Sequence, residues 1–99
     1  MKEQIAQLVN AIRTLVNDDM DTLLQHAENK EYIKGVIRDS ALGEEFIKTQ
    51  IGIIGKAIEG IEHEVTQGMS LSEYDERMLK LSKNILGELK IDHKMEERY

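Results

Sequence analysis

The chain has 99 residues with a formal net charge of −6 at pH 7, and it contains no proline and no cysteine. The missing cysteine excludes disulfides, thiolate metal sites and thiol nucleophiles, and the negative charge disfavours general binding to a nucleic-acid backbone. Aromatic residues make up 4% of the chain, so the core has to be aliphatic. The missing proline permits long uninterrupted helices.

Apolar residues recur at helical spacing through the first part of the chain. This pattern predicts an amphipathic helix over residues 2–29. Residues 17–19 are Asn-Asp-Asp, three good N-cap residues that would divide this helix if one of them capped a new start. The apolar phase continues across them, and we therefore expect one unbroken helix.

Residues 30–39 predict one or two helical turns, near 31–38, and they carry a basic row at positions i, i+4 and i+8. Three cations in one row favour a phosphate group or an acidic partner. The simpler interpretation is that the row is the solvated side of an amphipathic segment. Two lysines on the polar side of the next helix are further candidates. The candidate ligand- or partner-binding residues are Lys30, Tyr32, Lys34, Arg38, Lys48 and Lys56.

A second long helix is predicted after Asp39 or Ser40, either of which can cap it, with Glu44 and Glu45 in its first turn, where the helix dipole favours negative charge. Its apolar seam over residues 47–65 and the small residues beside it cover about 200° of the circumference. One neighbouring helix needs about half of that arc, so we expect neighbours on two sides, including a second copy of the chain. The predicted oligomer interface consists of Phe46, Gln50, Ile53, Ala57 and Gly60.

Three polar residues, Asp19, His26 and Gln50, lie inside the apolar stripes of these two helices. A buried polar residue in a helical seam can fix register or oligomeric state. Alternatively, Asp19 caps a helix break, His26 lies on the rim and Gln50 marks the edge of the bundle. The sequence favours this simpler alternative.

Gly68 is expected to end the second helix, and Ser70 with Glu73 matches a capping box that starts a third. A turn of two or three residues would then join them and make them antiparallel neighbours. The apolar stripe of the third helix ends before residue 92. We therefore predict one domain over residues 1–91 and a charged tail, frayed or protruding, over residues 92–99.

Together these elements predict an all-α fold. Three long amphipathic helices and the short helical segment near residues 31–38 form a bundle that homo-oligomerisation, as a dimer or higher, completes. No apolar run approaches the ~20 residues that span a bilayer, and the first residues do not resemble a signal peptide. We expect a cytoplasmic protein without membrane contact.

No motif for catalysis, metal binding or a cofactor occurs, so we expect neither enzymatic activity nor a cofactor. Surplus apolar helix surface favours a helical interaction or regulatory protein, an adaptor or inhibitor that binds a macromolecular partner. The preference for Ile and Lys over Val and Arg suggests a bacterial or phage genome, and a host-takeover or anti-defence role is one form of this hypothesis. The alternative is an oligomeric binder of a small anionic ligand, a nucleotide or another phosphorylated molecule held between helices. Direct binding of nucleic acid is disfavoured.

Overall fold

The computed structural model describes residues 2–16, 19–38 and 43–93, and these ranges form five helices and no strand. The helices are α1 (Lys2–Leu15), α2 (Met20–Gln25), α3 (Lys30–Arg38), α4 (Glu44–Thr66) and α5 (Glu73–His93). Because no proline interrupts them, α4 and α5 extend over 23 and 21 residues. The prediction of an all-α fold and of a short helix near residues 31–38 is confirmed.

The prediction of one unbroken helix over residues 2–29 is wrong, because α1 ends at Leu15 and α2 begins at Met20. Asp19 has an extended backbone (φ −65°, ψ 133°), and its carboxylate accepts a hydrogen bond from the Thr22 N–H at 3.2 Å. This N-cap satisfies one of the backbone donors that a helix start leaves without a partner. The local cap therefore outweighs the continuing apolar phase. Residues 17 and 18 lie outside the described residues.

The break lets the first part of the chain cover two different helices. Helix α1 packs mainly on α4, while α2 and α3 pack on α5, and α4 and α5 pack on each other. The prediction that α4 has neighbours on two sides is thus confirmed, with α1 and α5 of the same chain in those places. The aliphatic core has its largest fully buried side chains at Leu8, Ile12, Leu23, Ile33, Ile54, Ile61, Met78, Leu81, Ile85 and Leu89. Much of the apolar surface that predicted a second copy is therefore buried within one chain, and self-association stays a prediction.

Helix α4 begins without a side-chain cap. Gly43 occupies the N-cap position, so the prediction that Asp39 or Ser40 caps this helix is wrong; both residues lie outside the described part of the chain. Glu44 and Glu45 occupy the first turn, as predicted. Their negative charges stabilise the positive end of the helix dipole in place of a capping side chain.

The connection from α4 to α5 begins at the predicted glycine. Gly68 has a φ of +107°, a conformation that residues with a Cβ rarely adopt. The N–H of Gly68 donates to the Val65 carbonyl at 3.0 Å, and the N–H of Met69 donates to the Glu64 carbonyl at 3.1 Å. These two bonds form a Schellman motif that ends α4.

The start of α5 differs from the prediction. The Ser72 hydroxyl, rather than that of Ser70, accepts a hydrogen bond from the Asp75 N–H at 3.1 Å, so the capping box of Ser70 and Glu73 is wrong. The connection covers residues 67–72, longer than the predicted two or three residues. Six extended residues reach about 20 Å, whereas α4 is about 35 Å long. The connection is too short to return to the start of α4, so α5 begins near the end of α4. Since the two helices pack on each other, α5 runs back along α4.

The last described helix continues to His93. Residues 94–99 lie outside the described ranges. The predicted boundary between a domain over residues 1–91 and a charged tail over residues 92–99 therefore stays a prediction.

Candidate functional site

Two lysines of the predicted basic row, Lys30 and Lys34, line a groove between α3 and α5 with a volume of about 300 Å³. Ile33 of α3 is the third residue on their side. The residues that α5 contributes are Lys83, Asn84, Gly87, Glu88 and Ile91. We call this site the α3–α5 groove. Lys83 was not predicted, because it lies far along the chain from Lys34 and no local spacing links the two.

The two predicted lysines of α4 do not join this groove. Lys48 and Lys56 are exposed on α4 and are not among its lining residues. The backbone of Arg38 ends α3, but its side chain lies outside the described part of the structure. The fold therefore joins Lys30 and Lys34 and adds Lys83 from a different helix.

Tyr32, the predicted aromatic member, packs on His26 instead of lining the groove. The two rings are stacked with their centroids 4.2 Å apart and 14° between their planes. His26 is half-buried, and its Nδ1 donates to the Thr22 carbonyl oxygen at 2.9 Å. The Tyr32 N–H donates to Oδ1 of Asn29 at 3.1 Å, which caps the start of α3. The stack covers one face of the Tyr32 ring and fixes the turn before Lys30.

Two side chains of α5 hold the same turn from the other side. Asn84 Nδ2 donates to the carbonyl oxygen of Ala27 at 2.7 Å, and Lys80 Nζ donates to the Glu28 carboxylate at 2.7 Å. The Ala27 carbonyl follows the end of α2, where backbone acceptors lack partners within the helix. These bonds position the first turn of α3 against α5 and thereby set the width of the α3–α5 groove.

The contact between Glu28 and Lys80 changes the ionisation of both groups. The hydrogen bond and the positive charge of Lys80 hold the pKa of the Glu28 carboxyl below its ordinary value, and the same hydrogen bond raises the pKa of the Lys80 ammonium. The side chains are 70% and 54% exposed, respectively, so water screens their attraction. The pair orients the turn, and its contribution to stability is small.

A second groove lies between α1 and α4 and has a volume of about 380 Å³. Its lining residues in the described ranges are Gln7, Asn10, Ala11, Thr14, Gln50 and Ile53. None of them is charged, although charged residues make up 32% of the chain. The Thr14 hydroxyl donates to the Asn10 carbonyl at 2.7 Å, so it does not depend on water for a partner. We call this site the α1–α4 groove.

The five residues of the predicted oligomer interface divide into a buried and an exposed set. Gln50 and Ala57 are buried, and a Cβ on Gly60 would lie 3.1 Å from Nε2 of Gln4 in α1. Ala57 and Gly60 therefore pack within the chain, and the small accessible part of Gln50 lies in the α1–α4 groove. Phe46 and Ile53 are 38% and 39% exposed and lie two helical turns apart on one face of α4. No observation tests whether a second copy covers them.

The polar residues in apolar stripes each have a local explanation. Asp19 caps α2 and is exposed, which confirms the simpler interpretation of that residue. His26 bonds its own helix and stacks on Tyr32. Gln50 lies on the floor of the α1–α4 groove rather than at the outer edge of the bundle, with 8% of its surface exposed.

In the described ranges, no three His, Asp or Glu side chains come close enough together to hold a metal ion. None of the helices α1 to α5 combines the length and apolar character needed to cross a bilayer. No known protein family, curated protein or solved structure matches the chain. The functional proposal below therefore rests on the two grooves.

Proposed function

We propose that this protein is a non-enzymatic interaction protein, an adaptor or inhibitor acting in the cytoplasm, that binds an amphipathic helix of another protein in the α1–α4 groove. The uncharged character of the described residues that line this groove supports the proposal most directly. The centres of protein interfaces are depleted of charged residues because an unpaired charge is costly to remove from water. An uncharged groove on a chain with 32% charged residues fits that use.

The dimensions of the groove suit a helical partner. From Gln7 to Thr14 its α1 wall covers two helical turns, about 10 Å along the axis. A helix that binds a groove anchors through residues at i, i+3 or i+4, and i+7, which cover the same distance. Phe46 and Ile53 repeat this spacing on α4 and are exposed. They add exposed apolar surface on that face of α4, and aromatic residues are enriched in protein interfaces.

The amide side chains that line the groove favour a partner whose contacting face is uncharged. Gln7, Asn10 and Gln50 can each donate and accept hydrogen bonds. Exchanging water for a polar partner group costs such amides little, whereas a partner charge facing them would lose its hydration without a counter-charge. The partner helix should therefore present Ala, Ser, Asn, Gln or aliphatic residues to the groove.

A matched pair of variants on α4 tests the proposal. Ile53 and Val65 are both 39% exposed, but only Ile53 lines the groove. Ile53→Lys places an unpaired charge in the groove. Val65→Lys introduces the same charge near the C-terminal end of α4, outside the groove. Each protein is purified from the cells that normally express it and analysed by native mass spectrometry, which gives the mass of any bound partner.

We expect the wild type and Val65→Lys to carry one partner protein at fixed stoichiometry and Ile53→Lys to lose it. A partner that remains bound to Ile53→Lys, or a wild type that carries none, contradicts the proposal. A species at twice the mass of the chain that disappears in Ile53→Lys instead assigns the groove to a second copy, which is the predicted homo-oligomer. Far-ultraviolet circular dichroism confirms that both variants remain helical.

A further inference from the structure

The α3–α5 groove is formed by a different pair of helices from the α1–α4 groove, and its chemistry differs. We propose that it binds a small phosphorylated molecule of mononucleotide size, with the phosphate among Lys30, Lys34 and Lys83 and a flat apolar ring over Gly87. The volume of about 300 Å³ lies at the lower end of the range for small-molecule sites. This binding site is independent of the proposed protein partner.

The three lysines concentrate positive charge on a chain whose net charge is −6. Lys30 and Lys34 lie one helical turn apart on α3, and Lys83 approaches from α5. Lys83 also forms an ion pair with Glu62, which uses one of the three ammonium hydrogens and leaves the others for a ligand. Lysine is a frequent phosphate binder because its ammonium acts as a compact point charge.

Lys30 lies at the positive end of a helix dipole, and Glu31 is the acidic residue in the same turn. Lys30 is the first residue of α3, a helix of nine residues, and the helix dipole is positive at that end. A cation in the first turn therefore adds to the dipole instead of offsetting it. A phosphate in the groove would interact favourably with the lysines and with the helix end together.

The remainder of the groove supplies space and a hydrogen-bond acceptor for the part of the ligand beyond its phosphate. A Cβ on Gly87 would have no atom within 4 Å, so the floor is open where the lysines end. Ile91, which is 60% exposed, provides an accessible apolar wall, whereas Ile33 is 1% exposed and belongs to the core. The Glu88 carboxylate can accept hydrogen bonds from ligand hydroxyl or amino groups. A row of solvated lysines alone would not come with an open, partly apolar cleft.

Isothermal titration calorimetry with the four common ribonucleoside monophosphates tests this site, with the corresponding nucleosides as uncharged controls. We expect at least one monophosphate to bind and its nucleoside to bind much more weakly. Lys30→Gln combined with Lys34→Gln should weaken binding roughly tenfold or more. Lys48→Gln combined with Lys56→Gln removes the same charge from α4, outside the groove, and should leave the affinity within about twofold.

The variant Gly87→Leu tests whether binding needs the open cleft as well as the charge of the lysines. Leucine at this position fills the open floor and leaves every lysine in place, so it should abolish binding without lowering the melting temperature. The proposal is overturned if no monophosphate binds at millimolar concentration, or if both double lysine variants lose affinity equally. It is also overturned if the nucleosides bind as well as the monophosphates, or if Gly87→Leu binds like the wild type.

Discussion

The two grooves are similar in volume, about 380 and 300 Å³, but they differ in charge because different parts of the helices form them. The α1–α4 groove is lined by the exposed uncharged residues Gln7, Asn10, Thr14 and Ile53 beside the buried Ala11 and Gln50. The α3–α5 groove lies between the polar edges of a short helix and a long one. The position of a groove relative to the apolar stripes thus decides which class of partner it suits.

The largest expected effect is on the free energy of unfolding, and it contrasts a core residue of α4 with its neighbour at the α1–α4 groove. Ile54 is fully buried and its neighbour Ile53 is 39% exposed. Ile54→Ala should lower the free energy of unfolding by about 2–5 kcal/mol, because it leaves a cavity in a packed core. Ile53→Ala should cost less than about 1 kcal/mol, because the exposed part of the side chain is hydrated in both states. Urea denaturation of both variants measures the difference, and equal losses would mean that α4 presents a different face to α1.

Two glycines allow the close contact between α1 and α4 to be compared with the open α3–α5 groove. Gly60 lies against Gln4 of α1, whereas Gly87 faces empty space. Gly60→Leu should lower the free energy of unfolding by about 1–3 kcal/mol through overpacking. Gly87→Leu should raise it by up to about 0.8 kcal/mol, because leucine favours the helix and meets no obstacle. Thermal unfolding distinguishes the two signs, and destabilisation by Gly87→Leu would contradict an open α3–α5 groove.

The connection between α4 and α5 joins one helix of each groove. Substituting its serines should change the free energy of unfolding less than the substitutions above. Ser72→Ala should lower the free energy of unfolding by about 1 kcal/mol, because the Asp75 N–H loses its acceptor. Ser70→Ala serves as the control, since Ser70 precedes the cap, and it should change stability by less than about 0.5 kcal/mol. Chemical denaturation under identical conditions compares them. A larger loss at Ser70 would restore the capping box predicted from sequence.

The sequence was sufficient for features that depend on local periodicity. The seam of α4, the stop at Gly68 and the aliphatic core all follow from the spacing of apolar residues and from glycine geometry. It was insufficient where two local signals competed. At Asp19 the continuing apolar phase favoured one helix, but the cap formed and α2 turned away. At the start of α5 the sequence predicted a cap at Ser70, whereas Ser72, two residues later, forms it in the folded chain.

The candidate sites were predicted less completely than the fold because each combines residues from distant parts of the chain. The spacing of Lys30 and Lys34 marked one wall of the α3–α5 groove, but nothing in the sequence pairs that wall with Lys83. Likewise, Phe46 and Ile53 were predicted to lie in an oligomer interface, but the uncharged residues of α1 beside Ile53 were not part of that prediction. Which helix edges become neighbours depends on the break after α1, which the periodicity obscured.

The smallest expected effect concerns the pH dependence of the turn before α3. It contrasts the α3–α5 groove, which this turn helps to position, with the α1–α4 groove. The pKa of Glu28 is lowered in the folded chain, so the Glu28–Lys80 pair contributes stability above the unfolded pKa of glutamate and loses it as pH falls through the folded value. The raised pKa of Lys80 has the opposite consequence, a contribution that is lost as pH rises through the folded pKa of the ammonium. Lys80→Ala should return the Glu28 pKa towards its ordinary value, and Lys48→Ala should not.

Carboxyl-detected nuclear magnetic resonance titration of Glu28 measures this shift directly. The amide groups of Gln7 and Asn10, in the α1–α4 groove, provide the internal reference, because no lining residue of that groove titrates. Their resonances should stay constant through the acid range in which Glu28 changes. An unchanged Glu28 pKa in Lys80→Ala would show that the ion pair does not persist in solution. The turn before α3 would then be held by Asn84 and the stacked rings of His26 and Tyr32 alone among the contacts described for it.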